Sequence, residues 1–418
     1  MTAIFAALFG SLAMGIPVAF ALGLAGVTYL LVIGAHPSVL ASQMFASLSA
    51  TGLLTIPFFI MAAEILSRSG ATQRLVNVFV AFLGHTRGGL PVVSVISTAF
   101  FSAICGSSVA TAAAVGVVLI PELIRRGYDK LFAIGLIACS GGLGILIPPS
   151  IPLIIYGMVT EQSIRALFVA GLVAGLILTA ALCVVAYIYA VRSGVPVEKK
   201  ASWEERVRAL RAAAGVLLMP VIVLGGIYGG IFTPTEASAI SAVYAIGLAI
   251  AYKVPLRDFL PMLTTSASMA TVILLILASA QLFGYALTAE RVPHHMFQYI
   301  NALGLEPWMF MALVMAFFII CGLFLEVISI ILITMPIILP LLEIYDIDPI
   351  HFGILLILNM ELAVITPPIG LNLFVISAIS GVPVLSVFRG ALPFAAMLLL
   401  VLLVLAFVPG AGLIFSSL

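Results

Sequence analysis

Two Pro-Pro pairs inside apolar segments constrain the fold of this chain more than any other feature. The segment 141–149 reads Gly-Gly-Leu-Gly-Ile-Leu-Ile-Pro-Pro, and the segment 361–368 reads Glu-Leu-Ala-Val-Ile-Thr-Pro-Pro. Proline removes a backbone donor and breaks or kinks a helix. In lipid an unpaired backbone group is costly, so a broken helix is tolerated only where it is buried in protein or lines a cavity. Two such breaks at matching places are typical of transporters built from internal repeats.

The composition predicts a protein with many membrane spans. Apolar residues make up 64% of the 418 positions and charged residues only 8%, whereas soluble domains carry about 25% charged residues. Since a spanning helix needs about 20 apolar residues, the chain has room for roughly ten to twelve spans. The net charge of +1 gives no reason to expect a nucleic-acid partner. We therefore predict an all-α polytopic protein embedded in a lipid bilayer.

The two halves of the chain contain an internal repeat. Pro121 and Asp129 match Pro340 and Asp348 at an offset of 219 positions, which is also the offset between the two Pro-Pro pairs. A Cys-Gly pair recurs at an offset of 216, which indicates a three-residue difference near that pair. One match of this kind can arise by chance, but the ordered series indicates a duplicated architecture.

Each repeat is predicted to contain a hairpin and a broken helix. The apolar segments 91–121 and 307–342 are 31 and 36 residues long, and each carries a Cys-Gly pair near its middle. They are too long for one span and too short for two spans with a loop. We predict that each is a re-entrant helical hairpin, followed by a broken helix at 130–158 or 349–380.

The basic residues orient the two repeats. The polar stretch 192–211 holds six of the 17 Lys and Arg residues, so it is predicted to be cytoplasmic. Counting spans from it places all basic residues except Arg165 and Arg291 on the cytoplasmic side. The first hairpin then enters from the cytoplasm and the second from outside, so the repeats are inverted. We also predict that 199–211 is a short amphipathic helix on the cytoplasmic leaflet.

These assignments divide the chain into two scaffold segments and two halves of a transport domain. The N-terminal segment 2–33 contains a Gly-Ile-Pro break, so it can form either one tilted helix or two shorter helices. The predicted units are 1–90 (first scaffold segment), 91–191 (transport-domain repeat 1), 192–213 (cytoplasmic amphipathic linker), 214–306 (second scaffold segment) and 307–418 (transport-domain repeat 2).

Four motifs resemble one transporter family. They are Cys-Gly-Ser-Ser-Val-Ala-Thr at 105–111, Ile-Pro-Pro-Ser at 147–150, Gly-Gly-Ile-Phe-Thr-Pro-Thr-Glu-Ala at 229–237 and Thr-Pro-Pro-Ile-Gly-Leu-Asn-Leu-Phe at 366–374. In this order they resemble the large membrane subunit (M, or DctM-type) of TRAP transporters, the tripartite ATP-independent periplasmic transporters. The resemblance extends over essentially the whole chain.

The resemblance implies a fold, a function and partners. Such subunits are similar to Na⁺-coupled elevator transporters of the bacterial inner membrane. They import organic acids such as C4-dicarboxylates or sialic acid, together with a small four-helix Q (DctQ-type) subunit and a periplasmic substrate-binding protein. No Q-like helices flank the M-like region, so the Q subunit is expected to be a separate chain. A self-sufficient ion-coupled anion exchanger or exporter of the broader elevator superfamily is the alternative.

The hairpin tips and helix breaks supply the candidate site. At the first tip, 14 of the 20 residues from Ser97 to Gly116 are Gly, Ala, Ser or Thr. Tight helix packing is one reading of such a run; the other is a site where hydroxyl and carbonyl oxygens bind Na⁺ and a helix N-terminus binds an anion. The predicted ion- or substrate-binding residues are Gly106, Ser107, Ser108, Thr111, Gly142, Pro148, Pro149, Gly322, Glu326, Ser329, Glu361, Thr366, Pro367, Pro368 and Asn372. Among them, the hypothetical Na⁺ ligands are Ser107, Ser108, Gly322 and Thr366.

Several of these residues have a structural alternative. Glu326 is an ionisable residue in an apolar hairpin, or it is a helix cap stabilised by the helix dipole. Glu361 lies about 13 residues, or roughly 20 Å, along its helix. It either binds a proton or Na⁺, or it is a buried structural acid. The Pro-Pro breaks provide free carbonyls for an ion, or they are plain kinks. Asn372 corresponds to Leu153 in the first repeat, which favours one substrate site over two.

Other function classes lack their motifs. The sequence has no Walker A motif, so no nucleotide cofactor is expected, and no nucleophile–base constellation, so an enzyme is not predicted. A channel would not need mobile broken helices rich in glycine. Thr233-Pro234-Thr235-Glu236 reads as a helix start with a capping box rather than as a catalytic motif.

Overall fold

The computed structural model describes residues 2–36, 38–49, 51–195, 199–302, 304–368 and 370–407. Within these ranges the secondary structure is helical throughout, with twenty α-helices and one short 3-10 helix. Eight helices are long and apolar enough to cross a membrane. The chain is therefore an all-α, multi-pass membrane protein.

The N-terminal segment forms two helices, because the chain turns between them at Gly15, where φ is +76°. Further along, the chain bends by 66° between the fourth and fifth helices, as expected of an interfacial helix leaving a span. The helices of this half are α1 (Thr2–Ala13), α2 (Val18–Val32), α3 (Ser38–Leu48), α4 (Thr55–Arg68), α5 (Ala71–Leu83), α6 (Gly89–Cys105), α7 (Ser108–Arg125), α8 (Lys130–Gly141), α9 (Leu143–Leu146), α10 (Ile151–Val159) and α11 (Ile164–Ser193).

The second half continues with longer helices before the second repeat. The helices of this half are α12 (Trp203–Tyr228), α13 (Pro234–Ala251), α14 (Leu256–Ala289), α15 (Val292–Ala302), α16 (Pro307–Gly322), α17 (Val327–Ile344), α18 (Pro349–Val364), α19 (Leu371–Ser380) and α20 (Val384–Phe407).

The helix boundaries reproduce the repeat. Helices α7 and α17 begin and end 219 positions apart, and α8 and α18 begin 219 positions apart. The first hairpin breaks at 106–107 and the second at 323–326; α8 is followed by breaks at 142 and at 147–150, and α18 by a break that begins at 365. Five candidate spans separate the two hairpins: α8–α10 counted as one, then α11, α12, α13 and α14. Because five is odd, the hairpins enter from opposite faces, and the repeats are inverted.

One prediction about the middle of the chain is wrong. The segment 199–211 is not a separate amphipathic helix, because α12 runs unbroken through 203–228. A capping box starts this helix: the Glu205 amide donates to Ser202 Oγ (3.2 Å), and the Ser202 amide donates to the Glu205 carboxylate (2.7 Å). Arg206 then donates to the Ala81 carbonyl of α5 at 3.2 Å. The basic turns are thus the start of a span held against α5.

The predicted helix start at Thr233 is confirmed. The Glu236 amide donates to Thr233 Oγ1 at 3.3 Å, and the Thr233 amide donates to the Glu236 carboxylate at 2.8 Å. The Glu236 side chain therefore caps α13.

The helices pack as two groups that meet where α14 lies against α17 and where α4 and α5 lie against α6. Helix α14 lies against α2, α3 and α4, α13 lies against α4, and α12 lies against α5; in the other group, α8 packs against α7 and α20. At the boundary a Cβ on Gly284 of α14 would lie 3.9 Å from Pro336 Cβ of α17. Beside this contact is a cavity of about 310 Å³, lined in part by Gln43, Gln281 and Tyr285. The boundary is therefore not tightly sealed.

The closest helix pair in the second group depends on two glycines. Gly135 of α8 and Gly390 of α20 face each other, and a Cβ on Gly135 would overlap the Gly390 carbonyl. Only glycine permits this backbone approach, which resembles the small-residue contacts of membrane helices.

We expect Gly135→Ala to destabilise the protein by about 1–3 kcal/mol, because the added methyl forces the two backbones apart. Gly247→Ala is the matched control, since nothing lies within 4 Å of a Cβ there and alanine favours a helix by up to about 1 kcal/mol. The apparent Tm of the purified protein in detergent measures the difference. Equal Tm values for the two variants would contradict the close packing.

Candidate functional site

The tip of the first hairpin lies directly on the first broken helix. Gly106 ends α6 with φ at +66°, and its carbonyl accepts a hydrogen bond from the Ile151 amide at 3.3 Å. A Cβ on Gly106 would lie 2.6 Å from the Pro149 carbonyl oxygen. The tip therefore touches the chain at the Pro-Pro pair, which is buried together with its neighbours. The predicted residues Gly106, Pro148 and Pro149 are in one place.

Hydroxyl side chains line the start of α7 at the same tip. Ser107 is its N-cap, and its Oγ accepts from the Ala110 amide at 3.5 Å. Ser108 and Thr111 are buried. A Cβ on Gly144 would lie 2.5 Å from the Ser107 carbonyl oxygen and 2.7 Å from Thr111 Oγ1. Apart from the neighbouring Cys105 thiol, Thr111 Oγ1 has no hydrogen-bond partner.

The first break frees backbone carbonyls, and other groups take them up. Pro149 has no N–H to donate to Ile145, and the Ser150 hydroxyl donates to that carbonyl instead at 2.5 Å. The Gly142 amide donates to the Cys139 carbonyl rather than to the Ala138 carbonyl, its usual helical partner. The Ala138 carbonyl is thereby free to accept from Asn372 Nδ2 of the second repeat, at 3.2 Å.

Asn372 and Glu361 bring unpaired oxygens to this break. Asn372 is fully buried, and its Oδ1 has no hydrogen-bond partner. Glu361 is also fully buried, and neither carboxylate oxygen has a partner. The Glu361 Cδ would lie 3.4 Å from a Cβ on Gly142. Both residues come from the second repeat and contact the first, so the two repeats meet at this break.

The second tip is more open than the first. A Cβ on Gly322 would meet Ala363 of α18. Glu326 is the N-cap residue of α17 and is exposed, but its side chain makes no capping hydrogen bond. Pro368 is also exposed, in contrast to Pro149. Glu326 therefore lies where the dipole of α17 can stabilise its carboxylate, as the capping alternative predicts, but without a capping hydrogen bond.

Three other predicted residues lie near this second tip. Ser329 is buried in the first turn of α17. Thr366 Oγ1 donates its hydrogen to the Leu362 carbonyl at 2.6 Å, so its lone pairs remain available to bind a cation. Pro367 is half-buried at the break. The Pro367-Pro368 peptide bond is cis, as is the Pro148-Pro149 bond.

Three residues of the site were not predicted. Gly144 gives α7 its close approach, Ala138 supplies the carbonyl for Asn372, and Asn359 donates from Nδ2 to the Met315 carbonyl of α16 at 2.8 Å. Asn359 is a lone amide in an apolar helix two residues before Glu361, which is a signal that could have identified it. Nothing in the sequence marks Ala138.

The chemistry of the site is that of neutral and acidic oxygens. Among the described residues, the ion pairs that the structure shows join Arg68 to Glu64, Arg125 and Arg126 to Glu122, and Arg257 to Asp258; none includes Glu361. Carboxylate, amide, hydroxyl and carbonyl oxygens are the ligands that hard cations prefer. The N-termini of α7 and α17 present free N–H groups, which suit an anion. The arrangement can therefore hold a cation beside an anion.

Known proteins resemble this chain over almost its full length. The family model described as "Tripartite ATP-independent periplasmic transporter, DctM component" matches residues 5–411. The C4-dicarboxylate TRAP transporter large permease protein DctM of Pseudomonas aeruginosa is 41% identical over 94% of this chain and 92% of the relative. The sialic acid TRAP transporter large permease protein SiaM of Vibrio cholerae is 33% identical over 98% of this chain and 96% of the relative. The crystal structure of the Alcanivorax borkumensis YdaH transporter has the same fold, with a TM-score of 0.64 at 14% identity, covering 90% of this chain and 89% of that one.

Inverted repeats whose hairpin tips lie on broken helices define a membrane transporter. The sequence match over nearly the whole chain then gives the family. This chain belongs to the DctM components of the tripartite ATP-independent periplasmic transporters. The relatives named above are permeases, as expected for a chain that was not predicted to be an enzyme.

We expect Gly106→Ala to lower uptake about tenfold or more, because the added methyl collides with the Pro149 carbonyl and displaces the tip. A tenfold loss corresponds to about 1.4 kcal/mol. Gly194→Ala is the control: its φ of +67° matches that of Gly106, but nothing lies within 4 Å of its Cβ. Both variants incur the same backbone cost of about 1–2 kcal/mol. Uptake by proteoliposomes with equal amounts of folded protein measures the difference. Equal uptake by both variants would show that contact of the tip with the break is not needed.

Proposed function

We propose that this chain is the membrane subunit of a Na⁺-coupled secondary transporter that imports an organic acid anion across the bacterial inner membrane. A periplasmic binding protein delivers the anion, and a small four-helix Q subunit packs on the scaffold. The observation that carries this proposal is the group of buried, unpartnered oxygens near the first hairpin tip, together with the helix N-terminus at each tip.

Charge balance supports coupling between the two ligands. A carboxylate substrate near the N-termini of α7 and α17 gains from free N–H groups and the positive ends of the helix dipoles. The exposed Glu326 carboxylate at the second tip repels that substrate unless a cation lies between them. Na⁺ bound by nearby hydroxyl and carbonyl oxygens provides this neutralisation. Each ligand then raises the affinity for the other, as linkage requires.

The similarity to named relatives supports an organic acid. The names of two relatives specify C4-dicarboxylate and sialic acid. Both are anions with a carboxylate, the group that suits a helix N-terminus. The substrate of this chain is therefore proposed by class only.

The proposed movement is of the elevator type. The group containing the two hairpins would slide past the scaffold, carrying the tips from one face to the other. The boundary between α14 and α17, with its cavity of about 310 Å³, is the surface along which this sliding takes place. A fixed scaffold of α2, α4 and α12–α14 provides the reference against which the hairpins move.

We expect substrate uptake to collapse to background when Na⁺ is replaced by K⁺, because the larger ion does not fit a site built for Na⁺. The measurement uses proteoliposomes containing this chain and its Q subunit, with the binding protein added outside. Omitting the binding protein tests the alternative, since a self-sufficient exchanger would still take up its substrate. Uptake driven by a proton gradient without Na⁺ would contradict the proposal.

We expect a disulfide between Gly284→Cys and Pro336→Cys to form and to stop uptake, because it joins the scaffold to the moving group. The Cβ positions are 3.9 Å apart, within the usual disulfide range of about 3.5–4.5 Å. The control pair, Gly23→Cys with Ser279→Cys, has Cβ positions 3.8 Å apart and lies entirely within the scaffold. Both pairs are made in a variant without the four native cysteines. Full uptake with the first disulfide formed would contradict the elevator movement, whereas the control disulfide should leave uptake intact.

A further inference from the structure

We propose that Glu361 forms an additional Na⁺ site between the two repeats, distinct from the predicted Na⁺ ligands Ser107, Ser108, Gly322 and Thr366. This inference rests on the proposed Na⁺ coupling and adds to it a charged ligand and one further coupled ion. The site lies where α18 passes the break after α8, at Gly142.

The position of Glu361 is set by the repeat symmetry. Gly142 and Glu361 are equivalent residues, since they are 219 positions apart, the offset that relates the helices of the two repeats. Two equivalent residues can touch only near the axis that relates the repeats. Here they do touch, because a Cβ on Gly142 would lie 3.4 Å from Glu361 Cδ. The carboxylate of one repeat occupies space that the glycine of the other leaves free.

The charge of this carboxylate requires a partner. Glu361 is fully buried, and both of its oxygens lack a hydrogen bond. An isolated buried carboxylate is far more costly than a buried neutral polar group, so a buried acid is paired, bound to a cation or protonated. The structure shows no ion pair for it among the described residues.

The helices packed against α18 offer no basic side chain for this role. They are α9, α10, α11, α16, α17, α19 and α20, and their only Lys or Arg residues are Arg165, Arg192 and Arg389. Arg165 lies at the start of α11 and donates to the Tyr228 carbonyl at 2.6 Å. Arg192 lies in the last turn of the 30-residue α11. Arg389 lies in the second turn of α20 and is exposed, whereas Glu361 is fully buried.

Neutral oxygens that lack partners lie around the same turns of α8 and α9. Asn372 donates through its amide nitrogen to the Ala138 carbonyl, one helical turn before Gly142, and leaves its Oδ1 free. Thr111 Oγ1 lies against Gly144, two residues after Gly142. Oxygen ligands with a single negative charge suit a monovalent hard cation. Because the ligands come from both repeats, the ion would hold the two halves of the transport domain together.

The test uses Glu361→Gln, which keeps the shape and removes the charge. We expect this variant to transport one Na⁺ fewer per substrate and to need about tenfold more Na⁺ for half-maximal uptake. Glu236→Gln is the control, because Glu236 caps α13 of the scaffold through a bond that glutamine can also accept, and its values should match the wild type. Proteoliposomes with the Q subunit and binding protein give both quantities, from the ratio of radioactive Na⁺ to substrate taken up and from the Na⁺ dependence.

A second variant covers the case in which Glu361→Gln does not fold. Gly142→Ala keeps the carboxylate but places a methyl beside it, so it should also raise the Na⁺ concentration for half-maximal uptake. An unchanged ratio of Na⁺ to substrate and an unchanged Na⁺ dependence in a folded variant would overturn the Na⁺ site at Glu361. This is also the result expected if Glu361 carries a proton instead of contacting Na⁺. If wild-type uptake itself ignores Na⁺, the proposed function fails instead.

Discussion

The need to pair every backbone group inside the membrane determines how the repeats fit together. Each Pro-Pro break leaves carbonyls without their helical partners, and water is not available in the lipid interior to replace them. At the first break the Ser150 hydroxyl satisfies Ile145, and Asn372 from the other repeat satisfies Ala138. The hairpin tip contributes the Gly106 carbonyl as an acceptor for the Ile151 amide. The site is therefore assembled from groups that the broken helices need for their own stability.

Much of the fold could be predicted from local patterns. Apolar segment lengths, the Pro-Pro pairs and the constant offset gave the hairpins, the broken helices and the repeat, because these depend on nearby residues and on the thickness of the membrane. The continuous α12 was missed, since the charges at Arg206 and its neighbours resemble a surface helix when read alone. Their interaction with the Ala81 carbonyl appears only when α5 is in place.

The site was less predictable because its contacts join distant segments. Gly106, Ser107 and the Pro-Pro pairs could be recognised from local motifs. The bond from Asn372 to Ala138 spans 234 positions, and nothing about Ala138 as a residue type indicates a role. The difference in exposure between the tips also has no local signal, since it reflects how the hairpins rest on their broken helices. The two repeats therefore differ in how exposed their hairpin tips are.

The unbroken α12 has a consequence for where the protein sits in the membrane. With 26 residues it is about 39 Å long, longer than the hydrocarbon core of about 30 Å. Its first turns therefore extend into the headgroup layer, where Arg206 is bonded to α5 and Arg74 of α5 stacks 3.9 Å over the Tyr252 ring. These contacts fasten three segments at one depth, near the membrane surface that the basic residues predict to be cytoplasmic. In the proposed elevator movement a scaffold fixed in this way would keep its depth, so a displacement of the hairpins would be a displacement relative to the bilayer itself.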